Sequence, residues 1–465
     1  MRIRVLGQYI HASIAMLATV EVLLFFAAFM VGAAVRFDVS LASEANFETA
    51  TWPAAALFSI VLFVSLLSFG LYSARQRARF GGMAMRIIVA VAAGVACLSV
   101  FLYLLPEHWI GRGVLFVATL NSLLILAVSR ILFNRAVDES LFKRRVIVYG
   151  CGKNAAPISR LRRRSDRRGF ELVGFVQPDD EEIGVSPTLI LEKQASLAQV
   201  CARHDVAEVV VAMDDRRRNF PILEMLDCRL AGIEVTELLT FLERETGRVR
   251  IDVLNPSWMI FGEGFRRDPV RLFSSRALDM IASSLILMAT LPLMLLTALA
   301  IKIEEGWRAP VLYAQQRVGL GGKTFNVLKF RSMRQDAERD GARWAAKRDS
   351  RVTRVGTFIR KCRIDELPQI LCVFRGHMSF VGPRPERPEF VADLAQKIPY
   401  YVQRHCVKPG ITGWAQLCYP YGSSEQDALE KLQYDLYYIK NNTLLFDLGI
   451  LLQTVEVVVM GQGAR

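Results

Sequence analysis

Residues Arg360 to Glu389 read RKCRIDELPQILCVFRGHMSFVGPRPERPE. An adjacent acid pair, Asp365-Glu366, stands between an upstream basic cluster (Arg360, Lys361, Arg363) and a downstream one (Arg375, Arg384, Arg387). Pro368 follows, then the apolar run Ile370 to Phe374. Proline is tolerated in a first helical turn, where its missing N–H would have had no partner. The order therefore predicts Asp365 at or near a helix N-terminus, whose free N–H groups suit a carboxylate or a phosphate. Successive helical residues point about 100° apart, so the two acids are expected to do different work. One suits a nucleophile toward phosphorus. The other suits a divalent ion, for oxygen ligands and phosphates most simply Mg²⁺. The arginines suit bidentate bonds to phosphate oxygens. Taken alone, an acid pair before a helix is more often an N-cap. Here the surrounding basic clusters tilt the reading toward chemistry.

The stretch resembles the bacterial sugar transferases, the monotopic polyprenyl-phosphate phosphoglycosyl transferases. The resemblance rests on D-E-L-P-Q at Asp365 to Gln369 and M-S-x-V-G-P-R-P at Met378 to Pro385. Three further blocks match: Gln315 to Gly322, Lys329 to Met333 and Lys408 to Gln416. The match runs from Arg276 to the C-terminus, and the whole chain is similar to the large exopolysaccharide-type, exosortase-associated members. His377 stands where the family usually has Asp, and Cys362 and Cys372 replace commoner residues; the dyad is intact. The resemblance implies transfer of a sugar-1-phosphate from a UDP-sugar to undecaprenyl phosphate through a phosphosugar-aspartyl intermediate on Asp365, with release of UMP and initiation of an exopolysaccharide repeat unit. Within it, Glu366 is assigned to Mg²⁺, and Lys329, Arg331, Arg360 and Arg384 to substrate phosphates. Family members of this size also suggest a homodimer. No residue names the sugar.

The 465 residues are enough for two or three domains. Apolar residues make up 52% and the mean hydropathy is +0.27, high for a soluble chain of this size. A net charge of +13 fits an anionic membrane surface, nucleic acid or a phosphorylated substrate. The apolar runs favour membrane lipids and phosphates over nucleic acid. Eight cysteines without C-x-x-C spacing read as reduced thiols facing a cytosol, and there is no zinc signature.

Four apolar segments come first, about Ala12 to Val35, Trp52 to Tyr72, Met85 to Leu105 and Val114 to Phe133. Each approaches the ~20 residues that span a bilayer as a helix. The first has no cleavage site and reads as an anchor. Arg75, Arg77, Arg79, Arg135 and Lys143 to Arg145 mark cytoplasmic loops, whereas Asp38, Glu44 and Glu48 mark an outer one. A multi-pass protein of the bacterial inner membrane is expected, with its later domains in the cytoplasm. Glu21, inside the first segment, is costly facing lipid and is expected in the bundle interior or an oligomer contact rather than in a functional relay.

From Arg145, short strands at Val146 to Tyr149, Leu172 to Val176, Glu208 to Ala212 and Ile233 to Thr236 alternate with helical patterns, which predicts a Rossmann-like parallel α/β domain. Gly150-Cys-Gly-Lys-Asn-Ala155 is a G-x-G-x-x-A variant without a clear acid after the second strand, where Gln177-Pro178 stand. A degenerate fold and a nucleotide-binding regulator both stay open. Gly322-Lys-Thr324 is no P-loop, because Arg317 stands where the first glycine is required.

The fold class expected is therefore a membrane protein, α and α/β. Residues 1–140 form a four-helix transmembrane bundle, 141–255 the Rossmann-like domain, 256–275 a linker, and 276–465 an α+β catalytic domain. Within the last, 277–301 is a fifth apolar segment of about 37 Å as a straight helix. Basic flanks on both sides and Pro292 within it predict a re-entrant helix-break-helix. Val311 to Arg331 reads as a hairpin around Gly319 to Gly322. Leu444 to Met460 reads as a helix on the membrane surface or at the edge of the fold. Two rivals to an enzyme are a membrane-anchored nucleotide sensor, with tight binding near Gly150 to Ala155 and no turnover, and a basic scaffold indifferent to the acid pair.

Overall fold

A computed structural model describes residues 2–459 apart from 6–7, 38–43, 70, 73–79, 105–110, 137–142, 162–168, 180, 193–195, 216–219, 255–258, 260–268, 335–350, 420–421 and 423. Arg75, Arg77, Arg79, Asp38 and most of the expected linker lie outside those residues. The chain divides into two compact units, Met1–Thr246 and Gly247–Arg465.

The first unit opens on a short antiparallel pair that the apolar pattern did not announce, β1 (Arg2–Val5) and β2 (Gln8–His11). Four long helices follow: α1 (Ala12–Phe37), α2 (Glu44–Ser68), α3 (Phe80–Leu104) and α4 (Arg112–Ala136). Apolar stretches of α1, α3 and α4 are long enough to cross a membrane; that of α2, Thr51–Leu67, is shorter. Phe25, Phe29, Phe58, Leu62, Leu66 and Leu126 fill the bundle core. Leu23, Phe116 and Leu124 point outward instead, as lipid-facing residues do. Small residues let backbones approach: a Cβ on Gly32 would lie 3.0 Å from the Ala118 nitrogen.

Glu21 is fully buried, in the bundle interior rather than facing lipid. Its Oε2 accepts from the Tyr72 hydroxyl at 2.7 Å and Arg130 Nη2 at 3.0 Å, and its Oε1 from Ser129 Oγ at 2.9 Å. Arg130 also donates to the Leu71 carbonyl at 2.9 Å. The network thus ties α1 and α4 to the residues just past α2. Removing one member of a buried pair leaves an uncompensated charge and costs about 3–5 kcal/mol. Glu21→Ala should therefore lower the unfolding midpoint in detergent by roughly 10 °C. An unchanged midpoint in a thermal scan would reduce the network to a passive contact.

The rest of the unit is the α/β domain. Its elements are β3 (Arg144–Tyr149), α5 (Ala156–Ser159), β4 (Phe170–Val176), β5 (Ile190–Leu191), α6 (Leu197–Arg203), β6 (Glu208–Val211), α7 (Ile222–Leu230), β7 (Glu234–Glu237) and α8 (Leu238–Thr246). The five strands are parallel in the order β5-β4-β3-β6-β7. In chain order that is 3-2-1-4-5, the doubly wound Rossmann order through its fifth strand, and β6 with most of β3 is buried, as central parallel strands are.

The expected end of this domain at 255 is corrected. Residues 247–254 pack with the second unit: Val249 N donates to the Gln433 carbonyl at 3.0 Å, and Trp414 Nε1 to the Gly247 carbonyl at 2.8 Å.

The second unit begins, in its described part, with α9 (Pro269–Glu305), so the end of the expected linker, 269–275, is helical. The hairpin β8 (Leu312–Val318) and β9 (Thr324–Phe330) turns through Leu320–Gly322, where Gly321 and Gly322 take φ of 65° and 78°. Only glycine adopts such angles cheaply. Then come α10 (Arg354–Lys361), α11 (Gln369–Phe374), β10 (Ser379–Val381), α12 (Pro388–Lys397), β11 (Gly410–Thr412), α13 (Trp414–Cys418), α14 (Glu425–Asn441) and α15 (Leu444–Val459). β10 and β11 pair in parallel. The last helix packs into the core of the second unit through Ile450, Phe446 and Leu451. Its Asp447 is buried, accepting from the Tyr438 hydroxyl at 2.8 Å and facing Arg271 Nη2 at 3.4 Å.

Candidate active site

Helix α10 starts on Thr353, whose side chain caps Gly356 N, and ends at Lys361. Arg363 then takes a left-handed φ of 58°, a conformation that costs a non-glycine residue of order 1–3 kcal/mol. It turns the chain sharply into a single 3₁₀ turn, Ile364–Glu366, and Pro368 caps α11. The dyad thus lies just before a helix start, as its sequence predicts, on a strained turn.

Beneath it runs α9. Ile364 and Leu367, on either side of the dyad, pack in one cluster with Leu287, Met294, Ala298 and Ile301 of α9 and with Phe330 and Ile359. Both ends of α9 grip the same unit. Near one end Arg276 donates to the Val373 and Phe374 carbonyls at 2.8 and 2.7 Å, and Asp279 accepts from Ser379 Oγ and Phe380 N, both at 3.0 Å. At the other, Glu304 accepts from Arg354 N at 2.7 Å and Val355 N at 2.9 Å, closing the first turn of α10 with both carboxylate oxygens. The break expected at Pro292 is not an interruption: α9 is helical throughout. Thr290 Oγ1 bonds the Ile286 carbonyl at 2.7 Å one turn earlier.

Lys329 Nζ lies 3.0 Å and Arg384 Nη2 3.6 Å from Glu366 Oε1. Burial pushes the Glu366 carboxyl up, but Lys329 and Arg384 outweigh it and bring it down to about 2. Asp365 goes the other way. Burial and the adjacent Glu366 raise its carboxyl, against weaker pulls from Lys329, Arg360 and Arg363. Its Oδ1 is buried and has no hydrogen-bond partner among the described residues. Two neighbouring acids are thus driven apart, the pattern that assigns different roles to a carboxylate pair. Of the four cations read from sequence, Lys329, Arg384 and Arg360 gather at the dyad. Arg331, one residue past the end of β9, does not. Its Nε donates to the Pro310 carbonyl at 3.1 Å and its guanidinium lies 5.9 Å from the Tyr313 ring centre.

Arg384 is set by its backbone. A Cβ on Gly410 would lie 2.1 Å from the Gly382 nitrogen, and one on Gly413 2.2 Å from the Gly382 oxygen. The glycines of V-G-P-R-P and P-G-I-T-G are therefore required by the close crossing of two chain segments. Below, buried Arg404 donates to the Arg384 carbonyl at 3.1 Å, to Asp435 at 2.9 Å and to the Tyr401 hydroxyl at 2.6 Å. Arg404, Asp435 and Glu304 were not found from sequence. An Asp in an otherwise apolar run was the available signal for Asp279; Arg404 had none.

Among the described residues no three His, Cys, Asp or Glu side chains converge as a metal cage. Mg²⁺ commonly uses one or two carboxylates, with substrate phosphates and water completing its shell. An ionised Glu366 and the unpartnered Asp365 oxygen fit that minimal donor set.

The bacterial sugar transferase family matches residues 270–461, and a CoA-binding domain family matches 67–226. A UDP-N-acetylgalactosamine-undecaprenyl-phosphate N-acetylgalactosaminephosphotransferase from Aeromonas hydrophila is 43% identical over 51% of the chain and 55% of its own length. An undecaprenyl-phosphate glucose phosphotransferase from Komagataeibacter xylinus is 33% identical over 69% and 60%. A UDP-glucose:undecaprenyl-phosphate glucose-1-phosphate transferase from Xanthomonas campestris pv. campestris is 30% identical over 89% of both chains. The chain thus spans between half and two thirds of the first two relatives and most of the third.

Proposed function

The chain belongs to the bacterial sugar transferase family, and on that footing we propose that it transfers a sugar-1-phosphate from a UDP-sugar to undecaprenyl phosphate at the cytoplasmic face of the inner membrane. The observation that carries this reading is the split dyad resting on an apolar helix: a strained turn holding Asp365 and Glu366, three cations around it, and α9 beneath. In the first step an Asp365 oxygen forms a bond to the β-phosphorus while the bond to the bridging oxygen breaks, and UMP leaves. In the second, an oxygen of the lipid phosphate attacks the same phosphorus and frees Asp365. Lys329, Arg360 and Arg384 lower the repulsion between the anionic reactants. Glu366, held ionised, is the residue to hold Mg²⁺, which when bound would neutralise diphosphate charge. Arg331 is left to the flank of the site, beside Tyr313. The product would begin an exopolysaccharide repeat unit. The relatives' names include glucose and N-acetylgalactosamine, so the hexose is left to assay. UMP release by the purified protein with polyprenyl phosphate, against a panel of UDP-sugars, tests the reading; no release with any sugar would overturn it.

The nucleophile works as a carboxylate. As pH falls through the raised Asp365 pKa it becomes neutral, so the acid limb of kcat/KM should lie above the ordinary aspartate range, while Glu366 stays ionised down to about 2. Lys329→Met removes the cation that pulls the Asp365 carboxyl down most, so the limb should move further toward neutral pH. A profile unmoved by Lys329→Met would detach that residue from the dyad.

Re-entrance of α9 is part of the proposal. Its 37 residues extend about 55 Å if straight, more than the ~30 Å apolar core of a bilayer. Yet Arg276 and Asp279 near one end, and Glu304 at the other, bind the same unit, which supports two ends on one side. Cysteines introduced at Ser274 and Arg308, in a background without the exposed Cys97 and Cys362, should both resist an impermeant maleimide added from the periplasm. Labelling at one position alone would mean that α9 spans.

A further inference from the structure

The order β5-β4-β3-β6-β7 places the topological switch of the α/β sheet between β3 and β6. In open parallel sheets the ligand crevice lies there, outside the carboxyl ends of the strands. The loop Gly150-Cys151-Gly152 leaves β3 at that point, and the loop after β6 brings in Asp214. We propose that this crevice is filled by the chain's own Asp214 and Glu181 carboxylates, and that the domain therefore does not take the diphosphate of coenzyme A or of a dinucleotide, the ligand class that its matching family's description implies.

The backbone donors that would cradle a diphosphate are in use. Lys153 N donates to Asp214 Oδ2 at 2.9 Å and Asn154 N to Asp214 Oδ1 at 2.7 Å, so one carboxylate spans two successive N–H groups. Cys151 N donates to Glu181 Oε2 at 2.7 Å, and the other Glu181 oxygen accepts from Asp214 N at 2.7 Å. The second glycine of such a loop is there so that a pyrophosphate can approach the backbone. At Gly152 the approach is made by Asp214: a Cβ there would lie 2.3 Å from its Oδ2. Two further contacts hold the loops closed. Gly184 N donates to the Cys151 carbonyl at 2.7 Å, and Asn154 Nδ2 to the Met213 carbonyl at 3.1 Å. Where β4 ends, and a ribose-binding acid would stand, Gln177 donates to the Glu181 carbonyl at 3.0 Å. An incoming diphosphate would have to displace two carboxylates of its own charge from charge-assisted hydrogen bonds. The glycines are kept for an internal anion, and three loops are joined by it.

Full-length protein in nanodiscs tests this with radiolabelled CoA, NAD⁺ and ADP in equilibrium dialysis and with backbone hydrogen exchange. The wild type should show no saturable binding up to about 1 mM. Amides 151, 153 and 154 should exchange slowly, at rates that the three probes leave unchanged. Asp214→Asn, which cannot present two anionic oxygens, should speed exchange at 153 and 154 by about ten-fold or more. Saturable binding of any probe to the wild type with added protection at 151–154 would overturn the proposal, and this arm needs no variant to fold. So would Asp214→Asn that folds and leaves exchange at 153 and 154 unaltered.

Discussion

Asp365→Asn is expected to give a protein that folds at least as well as the wild type and releases no UMP. The reason lies in its surroundings. The ionised Asp365 is disfavoured by burial and by the charge on Glu366, and one of its oxygens has no partner. A neutral amide of the same shape escapes the charge repulsion and lowers the cost of burial, so the thermal midpoint should hold or rise. The same change removes the carboxylate proposed to bond phosphorus. Loss of turnover by ~10³-fold or more, with no phosphosugar-labelled protein from a radiolabelled UDP-sugar, is the expected signature. Glu366→Gln differs in kind. It should weaken metal dependence and slow both steps, and it frees Lys329 and Arg384 from their shared carboxylate. Near-normal UMP release from Asp365→Asn would remove that residue from the chemistry.

Arg404→Ala should destabilise the C-terminal unit by about 3–5 kcal/mol, because it strands a buried charge. Asp435 is almost wholly inaccessible, and burial pushes its carboxyl up to about 6 even with Arg404 beside it. Without the guanidinium it has no compensating charge at 2.9 Å. The Arg384 carbonyl and the Tyr401 hydroxyl lose a donor and a neighbour in the same stroke. Denaturation in detergent measures the first effect, and KM for the UDP-sugar the second, since Arg384 would no longer be held against Glu366. The double variant Arg404→Leu with Asp435→Leu removes both charges and should recover most of the stability but not KM. A double variant as unstable as Arg404→Ala would mean that shape, not charge, governs the site.

Much of this architecture is written in short-range pattern. Apolar runs near twenty residues, alternation of short strands with helices, a glycine turn between β8 and β9, and an acid pair before a proline each depend on residues a few positions apart. Their periodicity and turn chemistry are read directly, with boundaries good to a few residues. The glycines of the late motifs were visible too, although the close crossing of Gly382 with Gly410 and Gly413 that explains them was not.

Sequence by itself therefore determined the bundle, the Rossmann-like alternation, the hairpin, and the dyad with its basic surroundings. Tertiary structure decided which cations lie beside the dyad. Lys329 and Arg331 are two residues apart and equivalent by pattern, yet only Lys329 lies within the strand and reaches Glu366, 37 positions away. It also decided that residues 247–254 belong with α14, that Glu304 closes α10 across 50 positions, and that Asp214 sits in the glycine loop 61 positions earlier. The physical reason is common to all of them. A side chain's partner across such a distance depends on how whole elements pack, and many compositions of charge are compatible with the same local helix or strand, so no periodicity in the chain encodes the pairing.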